Sequence, residues 1–346
     1  MFARVSRLIG CAPVAVLTFA TTGRAQDLTG AGATFPKQIY EKWFDAYATR
    51  TGVRINYQAI GSGGGIKQFT DGTVDFGASD APMSDEEMAK LKTPAYHIPT
   101  VLGAVVLAYN LPEVSKPLNL TGPVIADIYL GKITKWNAPE LAALNSGVKL
   151  PNRDILVVHR TDGSGTTYIF SDYLTSVSPA WKAGPGTGKE LKWPVGLGGK
   201  GNDGVAGQVK QVPGAVGYVE LAYARQNRIP YAAVKNAAGT FVLPSIESVT
   251  ESAAGIAAKL PANTDFRMSI VNAPGKGAYP ISSFTYLLVS QTQTDAVKGK
   301  KLVDFIKWAL HDGEGMAAAL DYAPLPRNVV TMLDKRLAAV KLVAAK

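Results

Sequence analysis

At 346 residues, with 47% hydrophobic and 18% charged side chains, 35 Gly and 21 Pro, the chain is long enough for two domains with separate cores. It is also too apolar and too rich in turn residues for a disordered protein or a coiled coil. The net charge of +9 favours anionic partners in general, but Lys and Arg are scattered, with no Arg-rich helix or aromatic-basic motif, so nucleic acid is not an expected partner. After the N-terminus, no apolar run approaches the roughly 20 residues that a membrane-spanning helix needs.

Residues 1–25 have the parts of an export signal in order: Arg4 and Arg7, an apolar stretch from Cys11 to Thr21, and the small-residue cleavage site Gly23-Arg24-Ala25. Leu8-Ile9-Gly10-Cys11 looks like a lipid-attachment box, but almost all of the apolar core follows the cysteine, whereas a lipobox comes after that core. Cleavage after Ala25 takes away the only cysteine. It also removes Arg4, Arg7 and Arg24, with no acid in that segment, and so lowers the net charge from +9 to +6. The expected mature protein, in the periplasm, therefore has no disulfide and no Cys-based zinc site. Its three histidines, His97, His159 and His311, have no metal-ligand spacing, and neither a metal nor another cofactor is expected.

The mature chain reads as strand, glycine-bearing turn and helix, repeated. Leu28-Thr29 leads into Gly30-Ala31-Gly32-Ala33-Thr34-Phe35-Pro36, and then Ile39, Tyr40, Trp43, Phe44 and Tyr47 form an apolar stripe at helical spacing. Val53 to Ile60 reads as a strand, Gly61-Ser62-Gly63-Gly64-Gly65 as a turn, and a helix is expected from about Ile66. A short strand from Thr73 runs to a polar tip at Asp80, before a helix capped by Ser84. Val101 to Asn110 is a buried strand. Asp154 to His159 is another, and Arg160-Thr161-Asp162-Gly163-Ser164-Gly165-Thr166-Thr167 runs from it into a helix at Tyr168 to Leu174. A glycine-rich loop at 193–204 precedes a helix at Val205 to Gln211 and a strand at Ala215 to Val219. The chain closes with a strand from Phe284 to Ser290, a helix from Lys300 to His311 and a terminal helix from Val329.

This alternation predicts a parallel α/β arrangement, in which ligands gather at strand C-terminal ends and helix N-termini. Free N–H groups and the positive end of the helix dipole suit an anion there, and Ser or Thr hydroxyls add rotatable donors. The turns at 34–35, 61–65 and 163–166 are candidates to surround one tetrahedral oxyanion, and Arg160 with Asp162 sharpens the third. Established phosphate and hydrolase motifs do not fit. Gly188-Lys189 has Ala183 and Glu190 where a P-loop needs Gly and a hydroxyl, and Gly199-Lys200 is followed by Gly201. Ser62 and Ser164 have Ile60 and Asp162 two positions earlier, where a nucleophile elbow needs Gly. No enzyme is expected.

Five segments together resemble a known family: Leu28 to Pro36, Val74 to Pro82, Asp162 to Thr166, Gly196 to Gly204 and Pro213 to Glu220. They are similar, in order and across the whole mature chain, to the periplasmic phosphate-binding proteins of Pst-type ABC transporters. The resemblance implies a two-lobed type II periplasmic binding protein fold, each lobe a mixed sheet flanked by helices, with the ligand cleft between lobes. It implies that the chain binds inorganic phosphate and delivers it to an inner-membrane ABC permease with a cytoplasmic ATPase, acting as a monomer. Motif matching carries the phosphate-binding positions to Thr34, Phe35, Ser62 and Asp80 on one side and Arg160, Asp162, Ser164, Gly165 and Thr166 on the other. Two positions depart from the pattern: Gly63 replaces a second serine, and His159 replaces an arginine.

Charge-assisted hydrogen bonds contribute about 1.5–3 kcal/mol each, so micromolar binding of a dianion, near 8 kcal/mol, needs many donors rather than one arginine. Asp80 makes sense beside an anion only if the ligand carries a proton. Phosphate near neutral pH has an O–H to donate and sulfate has none, which makes Asp80 the expected selectivity element. Asp162 is expected to orient Arg160 and temper its charge, or to cap the following helix. Crossings between lobes are expected near 103–110 and 276–286, giving a discontinuous lobe of 26–104 and 276–346 and a second of 105–275. The alternatives are another tetrahedral oxyanion, sulfate or molybdate, and an extracytoplasmic phosphatase.

Overall fold

The computed structural model describes residues 27–258, 260–261 and 263–343; the expected export signal and Cys11 lie outside the described residues. The chain opens with β1 (Leu28–Gly32), α1 (Lys37–Thr51), β2 (Ile55–Ala59), α2 (Ser62–Asp71), β3 (Phe76–Ser79) and the one-turn α3 (Asp85–Met88). In these units β1 pairs in parallel with both β2 and β3, as helical crossovers require. Glycines that read as a turn continue β1 instead, because the strand is closely approached from its neighbours. A side chain on Gly30 would run into the Phe76 ring, and one on Gly32 into the Ala78 carbonyl. For the same reason α2 starts at Ser62 rather than near Ile66. Gly65, in its first turn, lies against Gly32, with no room for a Cβ between them.

The long strand β4 (Ala95–Tyr109) begins well before the expected Val101, since the polar and Pro residues His97, Pro99 and Thr100 break its apolar pattern without leaving the sheet. The chain continues through β5 (Asn119–Leu120), α4 (Gly122–Tyr129), α5 (Pro139–Leu144), β6 (Leu156–Arg160), α6 (Gly165–Val177), α7 (Pro179–Ala183), β7 (Leu197–Gly199), α8 (Gly201–Gln211), β8 (Ala215–Glu220) and α9 (Leu221–Gln226). Then come β9 (Ala233–Lys235), β10 (Phe241–Val242), α10 (Ile246–Ala257), β11 (Ser282–Ser290), β12 (Thr292–Gln293), α11 (Ala296–Leu310), α12 (Arg327–Ala338) and β13 (Lys341–Leu342).

Eight strands form one mixed sheet in the order β2-β1-β3-β11-β4-β8-β6-β7, flanked by helices. The two halves of this sheet are joined through β4. Its first part, Ala95 to Ala104, pairs antiparallel with β11, and from Val105 onward it pairs antiparallel with β8. The partner change is stapled by the Val105 N–H to the Ile281 carbonyl at 2.9 Å and by the Tyr279 hydroxyl to the Val105 carbonyl at 2.9 Å. From Val101 to Tyr109 every residue is buried, which accounts for the unbroken apolar run.

The α1 stripe packs as its spacing predicts: Ile39, Tyr40, Trp43, Phe44 and Tyr47 are buried, and Phe44 lies 5.3 Å from the Phe305 ring of α11. In the second half an aromatic stack of Phe170, Tyr218, Trp193 and His159 fixes α6 and the 193–199 loop onto β6 and β8. Its ring centroids lie 4.4, 5.7 and 4.9 Å apart in that order. His159, which departs from the family pattern, thus works as a packing residue, its ring stacked on Trp193. Among the described residues no helix is long and apolar enough to cross a membrane.

Candidate functional site

The C-terminal ends of β1, β3 and β6 and the N-termini of α1, α2, α6 and α8 converge at one place between the two halves. Every residue expected at the site from the sequence lies in this cluster. Thr34 and Phe35 form the turn into α1, and Ser62 begins α2. Asp80 follows β3, Arg160 ends β6, and Asp162, Ser164, Gly165 and Thr166 lead into α6. Thr34, Phe35, Ser62, Asp80, Arg160, Ser164 and Thr166 are all at most 4% exposed, so water is nearly excluded.

The two halves touch directly. Ser62 Oγ accepts the Gly165 N–H at 3.0 Å and the Asp80 N–H at 3.2 Å, and the Gly63 N–H reaches the Gly163 carbonyl at 2.8 Å. Gly165 is needed for this approach: a Cβ there would lie 2.5 Å from both Asp80 Oδ2 and Ser62 Oγ. Gly63, the second departure from the pattern, serves the same closeness, since its Cβ would lie 3.0 Å from the Gly163 Cα. At the rim Lys189 Nζ bridges both carboxylate oxygens of Glu87 at 2.6 Å, an ion pair between the halves.

Arg160 is held by Asp162 through Nε at 2.8 Å and Nη2 at 2.5 Å, and its Nη1 donates to Thr166 Oγ1 at 3.2 Å. One N–H on each terminal nitrogen stays outside these bonds. Of the two readings left open for Asp162, the geometry selects the arginine partner; the α6 cap is Ser164, whose Oγ accepts the Thr167 N–H at 3.0 Å. Burial works to raise the Asp162 carboxyl, but hydrogen bonding and charge from Arg160, joined by the Gly201 N–H at the start of α8, outweigh it and hold the carboxyl below its ordinary value. The backbone N–H groups of Phe35, Ser62 and Thr166, at three of the helix starts, meet no acceptor among the described residues.

Asp80 is 2% exposed and lies opposite this donor-rich wall. Its Oδ1 accepts the Thr285 hydroxyl at 2.8 Å, and its Oδ2 is 3.4 Å from Ser62 Oγ. Burial pushes its carboxyl up to about 7, against the lowering effects of the Thr285 bond, the Arg160 charge and Ser62, and with the Asp162 charge adding to the rise. The site is thus a buried cluster with one arginine, its charge-balancing Asp162, several free backbone donors, the four hydroxyls of Thr34, Ser62, Ser164 and Thr166, and the carboxyl of Asp80, pushed up to about 7. Donors in this number around a carboxyl that can accept a hydrogen bond have the chemistry suited to a small tetrahedral anion bearing an O–H.

Two contributors escaped the sequence reading. Asn202, in the first turn of α8, joins Thr34 to Thr166 through its side-chain amide, and Thr285 of β11 orients Asp80. Asn202 falls in the segment 193–204, expected as a loop before a helix at Val205, whereas α8 starts at Gly201 and so adds a fourth helix start to the cluster. Thr285 is one of several hydroxyl-bearing residues in β11, beside Ser282, Ser283 and Ser290, and its position beside Asp80 depends on the β11–β3 pairing, which no local pattern encodes.

Comparison with known proteins shows the family and the fold. The PBP superfamily domain matches residues 18–312. The chain is 45% identical over 318 residues to the phosphate-binding protein PstS of Pasteurella multocida, an alignment covering 92% of this chain and 91% of the relative. It shares its fold with a periplasmic phosphate-binding protein solved with bound phosphate, at a TM-score of 0.71 and 20% identity, covering 91% of this chain and 96% of the other. A phosphate-binding protein from Stenotrophomonas maltophilia has the same fold at a TM-score of 0.70 and 20% identity, with 89% and 93% covered. The chain therefore belongs to the PBP superfamily and, within it, to the family of PstS phosphate-binding proteins.

Proposed function

We propose that this chain is an extracytoplasmic receptor that encloses one inorganic phosphate between two lobes and hands it to an inner-membrane ABC permease coupled to a cytoplasmic ATPase. The observation that carries the reading is the buried cluster of Arg160, the Phe35, Ser62 and Thr166 N–H groups and the Ser and Thr hydroxyls, faced by the single carboxyl of Asp80. Thr34, Phe35, Ser62 and Asp80 contact the anion from one lobe, and Arg160, Ser164, Gly165 and Thr166 from the other, with Asp162 fixing Arg160. The lobes comprise residues 26–104 with 276–346, and 105–275; the change of β4 partner between Ala104 and Val105 supports that division. Opening and closing about the two crossings admits the anion and reports occupancy to the permease. The receptor acts as a monomer in the periplasm, after cleavage near Ala25, and performs no catalysis.

The test is calorimetric titration of residues 26–346, freed of anion by unfolding and refolding, with phosphate and with sulfate at pH 8. One-to-one phosphate binding with no sulfate heat is expected. Binding of both anions alike removes the role given to Asp80, and binding of neither removes the receptor reading.

A further inference from the structure

We propose that Asn202 is a positioning residue that presets the Thr34 and Thr166 hydroxyls as donors to the bound anion, a role that rests on the phosphate-receptor reading above. Asn202 is the second residue of α8 and is fully buried. Its Oδ1 accepts the Glu220 N–H at 2.9 Å. An N–H must meet an oxygen, so this bond fixes which way the amide faces and turns its NH₂ group toward the cleft.

The two amide hydrogens are then divided between the halves of the molecule. Asn202 Nδ2 lies 2.9 Å from Thr34 Oγ1 and 3.1 Å from Thr166 Oγ1. Each hydroxyl has a second donor: the Asn202 main-chain N–H approaches Thr34 Oγ1 at 3.3 Å, and Arg160 Nη1 approaches Thr166 Oγ1 at 3.2 Å. A hydroxyl has two lone pairs and one hydrogen. With both lone pairs filled, each threonine has only its proton to offer, and that proton is directed out of the set, toward the anion.

Without Asn202 either hydroxyl is free to rotate and present a lone pair to a negatively charged oxygen. With it, neither threonine accepts from a ligand O–H, and Asp80 is left as the acceptor for that proton. Asn202 thereby serves selectivity as well as affinity. Because Thr34 belongs to the turn before α1 and Asn202 to α8, the Thr34 arm forms only when the cleft is closed.

The experiment is a double-mutant cycle read by phosphate titration at pH 8. Asn202→Ala is measured alone and in a Thr34→Val/Thr166→Val background, with thermal unfolding of each anion-free variant as the check on folding. Alone, Asn202→Ala is expected to weaken phosphate binding about 10- to 100-fold, because two charge-assisted donors lose their preset orientation while their hydroxyls remain. In the double-valine background its further effect is expected to be about twofold or less, since the hydroxyls through which it acts are gone. Equal fold-losses in both backgrounds would show a merely structural residue and overturn the proposal. If Asn202→Ala does not fold, Asn202→Ser takes its place in the same cycle with the same two outcomes. Wild-type protein that binds no phosphate would refute the receptor reading itself, whereas a binding wild type with multiplicative losses refutes only the role of Asn202.

Discussion

Sulfate has the shape and charge of phosphate but no proton at neutral pH, so its oxygen beside Asp80 is tolerated only when Asp80 supplies the hydrogen. Burial raises that carboxyl to about 7, in a setting where Arg160 and the Ser62 and Thr285 hydroxyls oppose the rise and Asp162 adds to it. With that value, roughly one molecule in eleven has Asp80 protonated at pH 8 and roughly ten in eleven at pH 6. Sulfate binding is therefore expected to strengthen about tenfold between pH 8 and pH 6, or about 1.4 kcal/mol. Phosphate brings its own O–H and gains nothing from that protonation, so the rejection of sulfate narrows as the pH falls. The assay is displacement of phosphate by sulfate, followed calorimetrically at pH 6, 7 and 8 at constant ionic strength. Asp80→Asn offers a permanent donor at the same place. This variant is expected to bind sulfate at pH 8 at least as well as the wild type does at pH 6, and to lose the pH dependence. Sulfate affinity that is flat with pH in the wild type, or that weakens on acidification, refutes the selectivity role of Asp80.

The same group shapes stability. Its folded value of about 7 lies above the ordinary 3.8, so its contribution to the anion-free protein is complete below about pH 4 and is lost as the pH rises through about 7. Thermal unfolding of Asp80→Asn beside the wild type across that window is expected to show the variant gaining relative stability by a few kcal/mol toward high pH. Thr285→Val removes a bond that favours the ionised carboxyl and is expected to move the sulfate midpoint upward by about one pH unit, measured by the same displacement series. Gly165→Ala places a methyl 2.5 Å from Asp80 Oδ2 and Ser62 Oγ, and phosphate affinity is expected to fall roughly 10- to 100-fold by calorimetry. Lys189→Met breaks the partly exposed ion pair to Glu87 across the rim and is expected to speed phosphate release about two- to fivefold in stopped-flow displacement.

What the sequence made legible follows from which interactions are local. The glycine turns before α1, α2 and α6 announced their exposed helix starts, because a free N–H depends only on the residues around a helix end. Arg160 and Asp162, two residues apart, were readable as a pair. The α1 stripe gave its buried face through spacing alone. Element limits failed where glycine serves contact rather than turning: Gly30 and Gly32 are strand residues pressed by Phe76 and Ala78, and Gly63 to Gly65 are the first turn of a helix. The extent of β4 was hidden by Pro99, which is compatible with its place in the sheet. Asn202 and Thr285 were missed because their roles arise between segments distant in sequence, across the meeting of α8 with the α1 turn and of β11 with β3.

In the proposed receptor one phosphate lies between the two halves, held by the residues described. The most direct measurement is a crystal structure of residues 26–346 grown with inorganic phosphate. A single phosphate is expected between the halves, with Arg160, the Phe35, Ser62 and Thr166 N–H groups and the Thr34 and Thr166 hydroxyls donating to it and Asp80 within hydrogen-bond distance of one oxygen. Phosphate bound elsewhere, or bound there with Asp80 turned away and no contact from one half, would contradict it.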